Sequence, residues 1–423
     1  MIYSGKPRRS PKSKRRLEIE AALSQGSTPG SIRSMVDHSR VHFAMTFLDH
    51  RLSRPARIAL ICIVCLLPLP FLVSQFSPRT YFASLIDYGA KLYVRAIPEV
   101  REIKPEVNSW YGSDGQFYSQ IAIHPSLRTP GMREAMDVPT YRAMRPFLPW
   151  LSYLAGFGRP FWILQAYALS NLFFWYLLIF GMLHYLRPAA RRDYLCVLGA
   201  CLSSGVLFSL RYAFVDLPAA TLCFFGALLA EEFAVGAVVA AVLTKETYIL
   251  QLFEIRSGTG RGQRLGPRVA KYAWVVLPAL LWQLYVHLTF GFAQPGRANF
   301  SWPFSGYLAA MLEAIKTLSH KHISSNSITS LLAPVSLLVQ GFYLFWAPRS
   351  ASPYRRTGMA FALSSIFLSS DVFVEQKSYC RDLIPVSLAF NIALMQIKPR
   401  RFIAWFVAGN AGLTMGLLHM IGG

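Results

Sequence analysis

Predominantly apolar runs that approach or exceed 18 residues recur along this chain, beginning with Ala59 to Phe76. A helix rises about 1.5 Å per residue and a membrane's hydrocarbon layer is roughly 30 Å thick, so a run of that length fits a membrane span. Two or three soluble domains would fit the length of 423 residues, but not 53% hydrophobic against 15% charged residues. The expectation is an all-α, polytopic transmembrane bundle. The formal charge of +22 then belongs to cytoplasmic loops rich in Lys and Arg and to attraction toward anionic lipid. Nucleic-acid binding would rest on the basic tail alone, and no nucleic-acid partner is expected.

The chain divides into a basic tail, 1–57, and a membrane domain, 58–423. Lys6, Arg8, Arg9, Lys12, Lys14, Arg15 and Arg16 open the tail and a Gly/Ser/Pro-containing stretch follows, so partial disorder is expected there. Val41, Met45, Leu48 and Leu52 recur at helical spacing, as in a short interfacial helix or an ordinary soluble turn. The first apolar run starts too far in for a cleavable signal peptide. Arg51, Arg54 and Arg57 precede the first span and place the N-terminus in the cytoplasm.

A loop over 77–145 follows on the outer side. Its own Lys and Arg do not overturn that orientation, because the charge rule weakens in loops so long. Residues 146–158 are apolar but cover only about 20 Å, which suggests a juxtamembrane helix that does not cross. Further spans are expected over Phe161–Leu186, Tyr194–Phe214, Leu217–Leu229, a pair of short segments about Leu243–Glu246, Tyr272–Phe292, Leu331–Trp346, Met359–Ser370, Leu383–Gln396 and Phe402–Leu418. That makes about ten crossings. The short Arg-rich loops then share one side: Arg187 with Arg191 and Arg192, Arg256 to Lys271, Arg349 with Arg355 and Arg356, and Lys398 with Arg400 and Arg401. No internal repeat is visible. Cys62 and Cys65 form a CxxC inside the first span with no further ligand nearby, so neither a metal nor a redox role is expected.

The densest polar cluster lies in the first outer loop, Trp110-Tyr-Gly-Ser-Asp114-Gly-Gln116-Phe-Tyr118 through His124, then Asp137-Val-Pro-Thr-Tyr141-Arg142-Ala-Met-Arg145-Pro. A carboxylate in a Gly-flanked turn at the water boundary is placed to take a proton from an acceptor hydroxyl. Arg142 and Arg145 suit a phosphate or diphosphate, because the guanidinium fork matches its oxygens. Each also has a plainer reading, since Asp-Gly is a common turn pair and arginines at helix starts snorkel. Lys245 and Glu246 lie between apolar segments, where an unpartnered charge costs roughly 2.5–3.5 kcal/mol or more. They either brace a helix break as a pair or serve a ligand. Asp216 is either a helix cap or part of a site. His320-x-His322 is a weak metal pattern.

Tyr111-x-x-Asp114-Gly-Gln-Phe-Tyr with Tyr141-Arg-x-x-Arg-Pro resembles the first-loop signature of GT-C integral-membrane glycosyltransferases, in particular the GPI-type mannosyltransferases. The short helix at 146–158 is similar to the juxtamembrane helix of aminoarabinose and protein mannosyltransferases. Arg211-Tyr-Ala-Phe-Val-Asp216-Leu-Pro resembles the family's stretch ending in Asp-Met-Pro, and Leu243-Thr-Lys245-Glu246-Thr its Leu-Thr-Lys corner. Tyr379-Cys-Arg381-Asp-Leu-Ile-Pro385 is similar to the late segment whose Arg faces the donor phosphate. The chain departs from the pattern in lacking a paired Asp-x-Asp in the first loop.

The resemblance implies a GT-C-like fold and a multi-pass protein of a bacterial inner membrane. It implies sugar transfer from a polyprenyl-phosphate donor to a lipid, glycan or protein acceptor on the outer side, with inversion. Asp114 and Asp216 are the expected catalytic residues. Gln116, Tyr118, Arg142, Arg145, Lys245, Glu246 and Arg381 are the expected substrate contacts. A divalent cation, magnesium or manganese, would bind at Asp114 and Asp216 if one is used. The competing expectation is a lipid-linked glycan flippase, polymerase or other transporter.

Overall fold

The structure is a computed structural model and describes residues 48–254, 265–292, 297–320, 325–346, 352, 354–397 and 399–414. It divides into Met1–Arg51 and Leu52–Gly423. Expectations for the basic tail, for Val41 and Met45, for most of the Arg256–Lys271 loop and for His322 fall outside the described residues.

Helix dominates the larger unit. The first span is α1 (Arg54–Leu66) continued by α2 (Leu69–Ser74), where Pro68 and Pro70 interrupt the regular hydrogen bonding. The first loop then carries α3 (Ala90–Tyr93), α4 (Pro98–Ile103), α5 (Gly115–Ile123) and α6 (Pro139–Ala143), with the small parallel pair β1 (Tyr88–Gly89) and β2 (Val107–Ser109). The expected juxtamembrane helix is α7 (Phe147–Ala155), nine residues long and entered through Pro146. The long helix α8 (Pro160–Leu186) follows, then α9 (Arg191–Cys201) and α10 (Ser204–Tyr212), α11 (Asp216–Leu228) and α12 (Glu231–Thr244). A 3-10 helix, Glu246–Phe253, leads toward α13 (Leu265–Phe290). The chain continues through α14 (Ser305–His320), α15 (Ser325–Trp346), α16 (Arg355–Ser365), α17 (Ser370–Phe373), α18 (Gln376–Asp382), α19 (Ile384–Leu394) and α20 (Pro399–Thr414).

Among the described residues four helical stretches are long and apolar enough to cross a membrane: Arg54–Ser74, Pro160–Leu186, Tyr272–Phe290 and Ile328–Trp346. A fifth results if α9 and α10, bent by 44°, count as one broken span. The remaining expected crossings fall on shorter helices. The segment expected over Met359–Ser370 is the 11-residue α16 followed by a turn, and that over Leu383–Gln396 is the 11-residue α19. At about 1.5 Å per residue each covers roughly 17 Å. Pro160–Leu186 is 56% buried and Ile328–Trp346 is 50% buried, against 11% for Arg54–Ser74 and 17% for Tyr272–Phe290. The first two are therefore the central pillars, and the other two present most of their apolar surface outward.

The loop elements pack as a core of their own. All nine residues of α5 are buried, and Phe117, Ile121 and Ala122 meet Leu148 of α7 and Ile163, Leu164 and Tyr167 of α8 in one apolar cluster. This first loop is thus a rigid cap on the end of α8 where that helix begins.

Candidate active site

Asp114 stands immediately before α5, and its backbone is fixed from three directions. Ser113 N–H donates to the Asp87 carbonyl at 2.9 Å and Ser113 Oγ to the Ile86 carbonyl at 2.8 Å. Gly112 takes φ +73°, and any Cβ there would press on Gly89 and on the Gln116 amide; only glycine fits. Gln116 accepts from Gly89 N–H at 3.2 Å and donates to the Tyr111 carbonyl at 2.9 Å. Both ends of its amide are thereby used on the loop's own backbone. Gln116, one of the expected substrate contacts, thus braces the loop that holds Asp114.

Asp216 opens α11 after a tight turn in which Ala213 takes φ +47°. The turn is held by polar groups of α8: Tyr167 OH donates to the Ala213 carbonyl at 3.0 Å and Asn171 Nδ2 to the Phe214 carbonyl at 2.8 Å. Lys245 and Glu246 lie where α12 gives way to the 3-10 helix. Arg381 and Asp382 end α18. That helix lies so close to α10 that a Cβ on Gly205 would overlap the Cys380 carbonyl. Trp282 of α13 donates to the Ala143 carbonyl at 2.7 Å, which secures α6 and with it Arg142 and Arg145.

These segments deliver one alternating chain of charges. Asp137 holds Arg142 by two bonds, Oδ1 to Nε at 2.8 Å and Oδ2 to Nη2 at 2.7 Å. Arg142 Nη1 meets Asp114 Oδ1 at 3.0 Å, and Arg381 Nη2 meets Asp114 Oδ2 at 2.7 Å. Arg381 Nη1 lies 3.8 Å from Asp216 Oδ2, and Lys245 Nζ sits between Asp216 and Asp382. Beside this chain Arg145 forms a fork on Glu246 at 2.7 and 2.9 Å and donates to the hydroxyls of Tyr118 and Tyr141. Aromatic faces fix two of the cations: the Arg142 guanidinium is 4.6 Å from the Phe117 ring centre and that of Arg381 is 3.9 Å from Phe214.

Eight of the nine expected residues thus meet in this ionic cluster, and Gln116 lies in its frame. Asp137, Tyr141, Asp382 and Phe214 also belong to it. Asp137 and Tyr141 stand in the stretch already singled out, and Asp382 adjoins Arg381, but nothing in the sequence pairs Asp382 with Lys245. Lys245 and Glu246 do not brace one another: each has its own partner on another element.

Burial would push the Asp114 carboxyl up, but Arg381, Arg142 and Arg145 outweigh it and hold the group well below the usual carboxylate range. The pair Asp114 and Asp216 does not fit a shared divalent ion, because the Arg381 guanidinium contacts both. Among the described residues no group of three or more His, Cys, Asp or Glu is placed to hold a metal. His124 instead meets Glu99 at 2.8 Å. All six cysteines are free thiols.

Chemically, the cluster offers a carboxylate at a helix start, four cations of the kind that bind phosphate, and two tyrosine hydroxyls. No family model, no curated protein and no solved structure matches the chain.

Proposed function

We propose that the chain is an integral-membrane glycosyltransferase that moves a sugar from a polyprenyl-phosphate donor to an acceptor hydroxyl. One observation carries this reading: Asp114, expected as the base, is joined directly to Arg142 and Arg381, one of them 267 residues away, in a cluster rich in phosphate-binding cations. Charges among apolar helices are costly, and where they concentrate a functional site is the default reading. In the reaction the acceptor oxygen gives its proton to Asp114 and forms the new bond to the anomeric carbon. The bond from that carbon to the phosphate oxygen breaks on the opposite face, which inverts the centre. Arg142, Arg145, Lys245 and Arg381 stabilise the negative charge that gathers on the departing lipid phosphate. Asp216 keeps Lys245 and Arg381 charged and in place.

Further support comes from the surroundings. An apolar groove of about 680 Å³ between the 3-10 helix and α16, lined by Leu250, Phe345, Met359, Leu363 and Phe367, suits an isoprenoid tail. The basic turn with Arg187, Arg191 and Arg192 follows the far end of α8, away from the cluster, as a cytoplasmic loop would if the site faces outward. We read the shorter helices as completing about ten crossings of a GT-C-like fold in a bacterial inner membrane, with the N-terminus cytoplasmic. A transporter of lipid-linked glycans is the second reading, favoured by the 44° break between α9 and α10.

The test is transfer from a panel of radiolabelled polyprenyl-phosphate sugars by the purified chain, with Asp114→Asn in parallel. Transfer by the wild type that the variant loses, with donor binding intact, is the expected result. Donor binding without transfer in either protein would move the assignment to transport.

A further inference from the structure

Arg142 and Arg381 each have an anchor besides Asp114. Arg142 is held by two hydrogen bonds to Asp137 and by the Phe117 face, and Arg381 has the Phe214 face and Asp216 at 3.8 Å. Between these two guanidiniums Asp114 places one oxygen on each, at 3.0 and 2.7 Å. The arrangement leaves capacity unused: Arg381 Nε is buried and has no hydrogen-bond partner among the described residues. Each guanidinium gives Asp114 one nitrogen: Arg142 its Nη1, with Nε and Nη2 taken by Asp137, and Arg381 its Nη2, with Nη1 toward Asp216. A phosphate group, tetrahedral and with more oxygens than a carboxylate, can accept from both and has an oxygen to spare for the unused Arg381 Nε.

Charge decides how such a group would enter. Asp114, Asp137, Asp216, Asp382 and Glu246 face Arg142, Arg145, Lys245 and Arg381, so the cluster carries one net negative charge. A phosphate that joined it intact would bring further negative charge to cations that already have carboxylate partners, two of which, Arg145 and Lys245, are buried. A phosphate that takes over the forks from Asp114 avoids placing two anions on one pair of cations.

We propose that Asp114 plugs a phosphate clamp formed by Arg142 and Arg381, so that a lipid-borne phosphate ester binds by displacing this carboxylate from the two guanidiniums. The clamp deepens the transferase reading and rests on it for one consequence. Once released from its arginines, Asp114 regains the basicity a proton acceptor needs, so donor arrival itself arms the base.

Displacement makes an unusual prediction, because removing a carboxylate from the site should strengthen binding. Purified full-length protein in detergent is titrated with geranylgeranyl phosphate, with the alcohol geranylgeraniol and with inorganic phosphate. Asp114→Asn should bind geranylgeranyl phosphate at least tenfold more tightly than wild type, and Asp114→Asn/Arg381→Gln should lose that gain. Affinity for the alcohol should be the same in all three. A parallel gain for inorganic phosphate would assign the clamp to the bare anion, whereas a gain confined to the lipid ester would assign it to a membrane-borne ligand. Equal or weaker binding of the ester by Asp114→Asn overturns the proposal.

Because the variant leaves two cations facing each other, its Tm is also followed in chloride and with each phosphate. A loss in chloride that phosphate reverses is expected, and a variant unfolded in both overturns the clamp. Tightened binding with no transfer by wild type would retain the clamp and remove the transferase reading. Transfer lost in Asp114→Asn without tightened binding would do the reverse.

Discussion

Asp114 and Asp87 both lie in the first loop and respond to pH in opposite senses. For Asp114 the neighbouring arginines overcome burial and depress the carboxyl. Its stabilising contribution is therefore present above the unfolded carboxylate value of about 3.9 and is lost as pH falls toward the folded value. The melting temperature of wild type should accordingly fall more steeply between about pH 5 and pH 3 than that of Asp114→Asn. Asp87 is raised by burial, with the Ser109 hydroxyl, Lys377 and Arg211 only partly offsetting it. A raised carboxyl is at its most favourable below its unfolded value and loses stability as pH rises through the folded one. Asp87 also takes φ 55°, which asparagine tolerates well. Asp87→Asn should thus melt at or above wild type at pH 7, with the difference closing near pH 4. At Lys245 the cost runs the other way. Lys245→Met leaves Asp216 and Asp382 facing one another and should destabilise by about 3–5 kcal/mol; adding Asp382→Asn should restore part of the lost thermal stability. Residue by residue, the site was legible where a charge interrupts an apolar run, as at Lys245 and Asp216. It was illegible where partners are far apart in sequence, as for Asp382, and at Gln116, where a loop polar group gives no sign that backbone will claim its amide.

At the scale of elements, α10 is the spacer that brings the first loop and α18 to one place. A Cβ on Gly115 would press on the Tyr212 carbonyl at one end of α10, and one on Gly205 would overlap the Cys380 carbonyl near the other. Gly205→Ala must therefore push α18 away and take Arg381 off Asp114. A displacement near 1 Å at a reacting site costs on the order of a hundredfold in rate. On the proposed transferase reading the expected outcome is a fall of that size in kcat/KM for the best donor, with Tm reduced but the chain still folded. Restored activity in full would show that α18 tolerates the shift. Apolar run length located α8 to within one residue and the ends of α13 and α15 to within two, because each is one continuous run, but it began α13 seven residues and α15 six residues late. It did not show the break at Leu202 and Ser203, where the chain turns by 44° and Trp175 donates to the freed Cys201 carbonyl. Ser203, Ser204 and Gly205 in succession are the only local sign of it. Helix α14 lies between the spans expected over Tyr272–Phe292 and Leu331–Trp346, and its signal is Leu308, Leu312 and Ile315 at helical spacing.

For the whole molecule, one helix ties the ionic cluster to a long apolar span. Helix α8 has 27 residues, roughly 40 Å at about 1.5 Å per residue. Its first half holds the Asp216 turn through Tyr167 and Asn171, and beyond its last residue come Arg187, Arg191 and Arg192. If α8 crosses the membrane, then in either orientation the ionic cluster and this basic turn lie toward opposite faces. Cytoplasmic loops retain Lys and Arg, so the basic turn should lie inside and the first loop outside. The prediction is read by cysteine accessibility, with Cys62 and Cys65 replaced by alanine and the other four thiols left buried in the fold. Ser126→Cys on the exposed first loop should react with a membrane-impermeant maleimide in intact spheroplasts, and Ala189→Cys only after permeabilisation. The reverse pattern would put the cluster on the cytoplasmic side, where nucleotide sugars rather than a lipid-borne donor are at hand. Labelling of both in intact spheroplasts would mean that α8 does not cross at all, and the placement of Asp114 at an outer membrane boundary would fall with it.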